Sequence, residues 1–177
     1  MISNQLSIGE FAACAAFELE AHGIETVLTG GAVVSIYTEN KYMSYDADFI
    51  SPNDHQKITK ILTGLGFAKQ GKDFKHPDTD FFVEFPTGPL AIGSQQIKAE
   101  GELEIAGHKL KLLSPTQSVM DRLAAYYHWN DQQSLDQALW IAKKHPVKIE
   151  QVKKWSVSEG HPEKFEIFKK KLRENKQ

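Results

Sequence analysis

Two aspartates one residue apart, Asp46 and Asp48, stand inside the run "YDADFI". In an extended chain alternate side chains share a face, so both carboxylates project together, roughly 6–7 Å apart along the strand. Tyr45, Ala47 and Phe49 then point the other way, into the core. Two carboxylates beside apolar residues repel and resist ionising unless a cation lies between them. A hard, oxygen-seeking Mg²⁺ (or Mn²⁺) meets that need. The spacing alone is a weak signal, because a D-x-D at a strand end also simply faces water or caps a helix.

Two further stretches bear on the pair. Upstream, "LTGGAVVSIY" sets Gly30 and Gly31 between a β-rich run and a helical pattern. Backbone N–H groups left open at the positive end of a helix suit a phosphate. The same glycines also fit a plain tight turn with positive φ. Neither G-x-x-x-x-G-K-[ST] nor G-x-G-x-x-G occurs, so a P-loop and a dinucleotide site are not indicated. Downstream, "DFFVEF" places Phe81, Val83 and Phe85 on one strand face and Asp80, Phe82 and Glu84 on the other. A charge in mid-strand needs a reason. Glu84 facing the same groove as Asp46 and Asp48 supplies one, as a third metal ligand or as the base for an attacking hydroxyl. Asp80 competes for that place, and a strand face open to water is the alternative to both.

The elements that must position these groups follow from the pattern. Apolar residues recur at helical spacing over 7–22, with His22-Gly23 as the stop. A strand is expected over 24–29, a helix over 32–37 and a strand over 46–51, closed by Pro52. Asn53 or Asp54 caps a helix that buries Ile58, Ile61, Leu62 and Leu65 and ends at Gly66. "FAKQGKDFKH" reads as an edge strand or hairpin, 80–85 as a strand stopped by Pro86, and "GELEIAGHKLKLLS" as a hairpin about Ala106-Gly107. The order α-β-α-β-α-β-β-β-β implies a mixed sheet with helices on one side. From Ser114, a cap followed by Pro115, four helices are expected. The fold class is therefore α+β, with a mixed core over 1–113 and a helical region over 114–177.

Bulk properties exclude little but point one way. The chain has 177 residues, 41% hydrophobic and 25% charged, which suits a soluble globular protein. A net charge of -2 gives no general pull toward nucleic acid or anionic lipid. The basic run Lys164, Lys169, Lys170, Lys171 and Arg173 reads as a solvated helix face. The single cysteine, Cys14, allows no internal disulfide and suits a reducing cytoplasm. The first residues lack the pattern of a signal peptide, and no window approaches the roughly eighteen apolar residues of a membrane span. Asp121 and Arg122 are expected on a helix surface, and Tyr126, Tyr127, Trp129 and Trp140 in core packing rather than stacked on a base. The scattered histidines make no zinc pattern.

Glycine pair, short helix, S-x-D-x-D on a strand and a later acidic residue on a neighbouring strand together resemble the polymerase-β-like nucleotidyltransferase superfamily. "TGGAVVSIY…SYDADF" looks most like its small bacterial branch of minimal nucleotidyltransferases and abortive-infection toxins. The resemblance is closest over residues 28–50, fair over 80–85, and in outline only at "LLSPTQSVMDRLAAYY". It implies that Gly30, Gly31 and Ser44 help hold a nucleoside triphosphate such as ATP, and that Asp46, Asp48 and Glu84 bind Mg²⁺ or Mn²⁺. It further implies transfer of a nucleoside monophosphate to an acceptor hydroxyl on a small molecule, a tRNA or a protein, with pyrophosphate released. A partner protein, as in toxin–antitoxin pairs, is implied in the same way. Chain departures from the pattern include the lack of a basic residue beside the aspartates, where Lys41 is the nearest. An inactive nucleotide-binding or regulatory module of the same fold is the rival expectation.

Overall fold

A computed structural model of the chain describes residues 2–174. Helix α1 (Ile8–Ala21) starts at a reciprocal cap, in which the Ser7 hydroxyl accepts from the Glu10 N–H while the Glu10 carboxylate accepts from the Ser7 N–H. Its stripe of Phe11, Ala12, Ala15 and Leu19 is buried. Then follow β1 (Val27–Thr29), α2 (Gly30–Tyr37), β2 (Asp46–Ile50) and α3 (His55–Gly64). Asp54 caps α3, accepting from the Gln56 and Lys57 N–H groups, whereas Asn53 accepts from the Glu25 N–H instead.

The middle of the chain is all strand: β3 (Ala68–Gln70), β4 (Asp73–Lys75), β5 (Phe82–Glu84), β6 (Ala91–Ile92), β7 (Gln95–Gln96), β8 (Gly101–Ile105) and β9 (His108–Leu112). Seven strands form one mixed sheet in the order β3-β4-β5-β2-β1-β9-β8, with helices on one face, and β6 and β7 pair separately. The fold class is α+β, as the pattern of elements implies. Strand β2 runs antiparallel to β1 and parallel to β5. Along it Ala47 and Phe49 are fully buried while Asp46, Asp48 and Ile50 alternate with them, partly exposed. That alternation is what frees one face of the central strand for polar groups without emptying the core.

Four helices complete the chain: α4 (Pro115–Trp129), α5 (Gln132–Lys144), α6 (Ile149–Ser158) and α7 (Pro162–Glu174). Ser114 caps α4, accepting from the Gln117 N–H at 3.3 Å. Tyr126 and Tyr127 are buried, as their helical spacing implies, and the Tyr127 and Ser156 hydroxyls meet at 2.8 Å. Lys164 Nζ donates to the Tyr126 and Tyr127 carbonyls at the end of α4. Lys169 and Lys170 pair with Glu166 and Glu174 on the surface of α7. The expected helical region runs to 177, and its residues 175–177 lie outside the described ones.

Several expectations need correction. Tyr45 is not a core residue: it is 52% exposed. The strand ladder begins one residue later, and Tyr45 lies at its end against the Phe81 ring, 5.9 Å between centroids. Trp129 is exposed at 77% because it sits in the last turn of α4, beyond its packed neighbours. Arg122 is not a surface residue, since α4 is flanked by α2, α5 and α6. Strands β1 and β5 are shorter than expected, and the small β6–β7 hairpin was not anticipated.

Candidate active site

Strand register assembles the site. Asp48 lies opposite Thr29 on β1 and opposite Glu84 on β5, and Asp46 lies opposite Phe82. Residues in register point to the same face, so Asp48 and Glu84 meet across the parallel pair. Asp46, Asp48 and Glu84 each offer a carboxylate oxygen, and the three oxygens lie within 4.8 Å of one another. Asp80 falls in the loop before β5, in a depression it shares with Ile2, Asn4 and Asp78, and is not part of the cluster.

The glycine pair stands against these carboxylates. Gly30 has φ +68°, and a Cβ placed on it would overlap the Asp48 carboxylate. Only a residue without a side chain lets β1 turn into α2 at that distance. A Cβ on Gly31 would lie 2.8 Å from Ser44 Oγ and 3.2 Å from Tyr42 Cε1. The start of α2 carries no acidic residue in its first turn and, among the described residues, no side-chain cap. Its backbone N–H groups are therefore open to an anion.

Ser44 is buried, and its hydroxyl donates to the Asp46 carboxylate and, at 3.2 Å, to the Asp46 carbonyl. Its own N–H donates to Ser35 Oγ at 2.9 Å, and that hydroxyl donates to the Gly31 carbonyl at 3.2 Å. A chain of hydrogen bonds thus ties the first turn of α2 to the start of β2. Thr29 Oγ1 donates to the Asp48 carbonyl at 3.2 Å and fixes the other side.

Concentrated negative charge disfavours ionisation of its buried member. Burial, then the charges of Asp46 and Glu84, push the Asp48 carboxyl from 3.8 up to about 7, against the pull of Arg122 and Lys72. Three residues of this environment were not singled out from sequence or were misplaced. Lys72, in the β3–β4 turn, holds Glu84 Oε2 at 2.9 Å. The Glu84 hydrogen bond and charge, with Asp73 and Asp48 behind them, raise the Lys72 ammonium above its ordinary value. Asp73 faces Glu84 across β4 and β5, and its Oδ1 is buried with no hydrogen-bond partner among the described residues. Arg122 binds Asp121 at 3.0 and 2.5 Å. Burial pulls the guanidinium down, but Asp121, Tyr42 and Asp48 outweigh it and hold it charged. Lys41, the one basic residue near the aspartates in sequence, lies 4.7 Å over the Trp140 ring instead.

No family model matches the sequence, and no curated protein matches it. Solved structures do. A crystal structure of an antigenic nucleotidyltransferase-like protein from Paracoccidioides brasiliensis superposes with a TM-score of 0.59 at 19% identity, covering 78% of this chain and 77% of that one. Two structures of the antibiotic-resistance factor ANT(2'')-Ia also match. The solution structure gives a TM-score of 0.49 at 13% identity, covering 95% of this chain and 91% of that one. The crystal structure with adenylyl-2''-tobramycin gives 0.47 at 13%, covering 94% and 96%. At these identities the likeness is one of fold: the chain has a nucleotidyltransferase-like fold.

Proposed function

We propose that the protein is a divalent-cation-dependent nucleotidyltransferase, which moves a nucleoside monophosphate from a nucleoside triphosphate to an acceptor hydroxyl. The observation that carries this reading is the convergence of Asp46, Asp48 and Glu84 on one point of a nucleotidyltransferase-like sheet, beside an uncapped helix start. The donor set fits a hard cation. All three ligands are carboxylates, and Asp48 is held there although its burial and neighbours penalise its charge. Asp46, Asp48 and Glu84 would hold Mg²⁺ or Mn²⁺, which when bound neutralises the triphosphate and acidifies the acceptor hydroxyl.

The chain's own residues do the rest. Open N–H groups at Gly30 and Gly31 grip phosphate oxygens, and glycine at 30 lets the backbone come that close. Ser44 serves nucleotide binding through Asp46, whose carboxylate it orients. The acceptor oxygen bonds to the α-phosphorus, the bond from that phosphorus to the β-phosphate bridge breaks, and pyrophosphate leaves. The hydroxyl proton passes to the carboxylate cluster, in which Glu84 is paired with Lys72. Little else is needed, since such transfers rest on position and charge. We further propose that the chain belongs to the small bacterial branch with minimal nucleotidyltransferases and abortive-infection toxins, on the strength of residues 28–50. That placement carries a cytoplasmic site of action and a partner protein with it. Among the described residues no helix is long and apolar enough to cross a membrane.

The reading predicts Mg²⁺-dependent pyrophosphate release from at least one of the four ribonucleoside triphosphates when a cell extract supplies acceptors. Asp46→Asn and Glu84→Gln should fold normally and release none; wild-type levels in either variant would overturn it. Ser44→Ala should be milder. Losing the donor that orients Asp46 is expected to weaken Mn²⁺ binding about tenfold, a loss typical of groups that hold a metal ligand, read by calorimetric titration.

A further inference from the structure

We propose that Lys72 is a tethered counter-cation of the carboxylate cluster: its ammonium holds Glu84 until a divalent cation takes that carboxylate, and then turns to a phosphate oxygen of the nucleotide. The inference rests on the nucleotidyltransferase reading and adds to it a coupling between metal and nucleotide binding.

Register places Asp48, Glu84 and Asp73 in one row across β2, β5 and β4. Lys72 stands beside Asp73 at the head of β4, and its Nζ reaches Glu84 Oε2 at 2.9 Å. Among the described residues Glu84 is its one ion-pair partner. The two ends of the pair are unlike. Glu84 has a side chain 11% exposed on a strand, while Lys72 is 78% exposed in a turn. A lysine has a flexible four-carbon stem and three rotatable donors, so it changes partners at little cost. Gly71 before it has φ +65°, and a Cβ there would meet nothing within 4 Å among the described residues. The other cation near Asp48, Arg122, is largely buried and pinned by Asp121, so it cannot play this part.

Two consequences of opposite sign follow. A cation arriving alone must displace Lys72 and work against its charge. A cation arriving with a triphosphate gives the displaced ammonium an anion to hold. Lys72 therefore weakens metal binding alone and strengthens binding of the metal–triphosphate complex, a positive coupling between the two ligands.

Calorimetric titration of the full chain tests this with Mn²⁺ alone and with the Mn²⁺ complex of inorganic tripolyphosphate, which needs no base preference. Lys72→Met should bind Mn²⁺ alone about tenfold tighter and the tripolyphosphate complex about fivefold weaker, while Lys72→Arg should follow the wild type. Lys72 is exposed in a turn, so circular dichroism should show both variants folded. Affinities that move together, or neither moving, would overturn the proposal. Wild type that binds no Mn²⁺, or Asp48→Asn that binds it equally well, would instead overturn the metal-site reading and the proposal with it.

Discussion

Asp48→Asn should lower Mg²⁺-dependent nucleotidyl transfer by more than about 10³-fold and, in the same variant, raise the stability of the metal-free protein at pH 8. The first effect follows from losing a charged ligand at the centre of the cluster. Removing several kcal/mol of charge stabilisation, at about 1.36 kcal/mol per factor of ten, gives that size. The second follows from the burial of Asp48 beside two further carboxylates. Burial and the neighbouring Asp46 and Glu84 raise the folded-state pKa of Asp48 from 3.8 to about 7. The stability contributed by its neutral form is complete below about pH 4 and is lost as pH climbs through about 7. Asn never charges, so the variant keeps that stability at pH 8, a gain on the order of 4 kcal/mol. Thermal unfolding of both proteins at pH 5 and pH 8, without metal, checks it. The variant should already melt somewhat higher than wild type at pH 5, and by a clearly larger margin at pH 8. Equal melting at pH 8 would show that Asp48 is not held against its charge.

Gly30→Ala is expected to be the most damaging glycine substitution. A non-glycine residue at φ +68° costs about 1–2 kcal/mol. The new Cβ also overlaps the Asp48 carboxylate, so either α2 or that carboxylate must move. A displacement of about 1 Å at a reacting centre can cost 10²-fold in rate. Activity should therefore fall at least 10²-fold, with a melting temperature lower by several degrees. Gly107→Ala is the matched control. It too has positive φ, +78°, but in the β8–β9 turn, where an added Cβ meets nothing within 4 Å among the described residues. It should show the loss of stability and keep full activity. Equal activity losses in both variants would mean that backbone strain, and not the approach to Asp48, explains Gly30.

Much of the site is legible in the sequence because it is local. The alternation in "DADFI" needs no partner strand to show that Asp46 and Asp48 share a face, and burial of Ala47 and Phe49 agrees. Glu84 stands out over Asp80 because the apolar run 80–85 places it inside the expected strand, although β5 in fact ends at Glu84. Tyr45 failed because the alternation was carried one residue beyond the ladder that enforces it. Lys72 and Asp73 were out of reach for another reason. The sequence suggests the β3–β4 hairpin, but nothing in it fixes the register that sets Asp73 opposite Glu84. Arg122 likewise depends on how α4 packs between its neighbours, which helical periodicity does not specify. The glycine pair in the sequence suits either a phosphate or a plain tight turn, and the space Gly30 leaves for the Asp48 carboxylate shows only in three dimensions. The β6–β7 hairpin has two residues per strand, too few for any periodic signal.

On the proposed function, the cluster of Asp46, Asp48 and Glu84 directs attack on the α-phosphorus. Position of the label in the nucleotide tests it directly. The protein is incubated with Mg²⁺, a cell extract and each triphosphate, labelled in parallel at the α- or the γ-phosphate. Label from the α-position should appear on an acceptor, and label from the γ-position should leave in pyrophosphate, both abolished by Asp48→Asn. Acceptor labelled from the γ-position, or no transfer from any of the four nucleotides, would contradict the account.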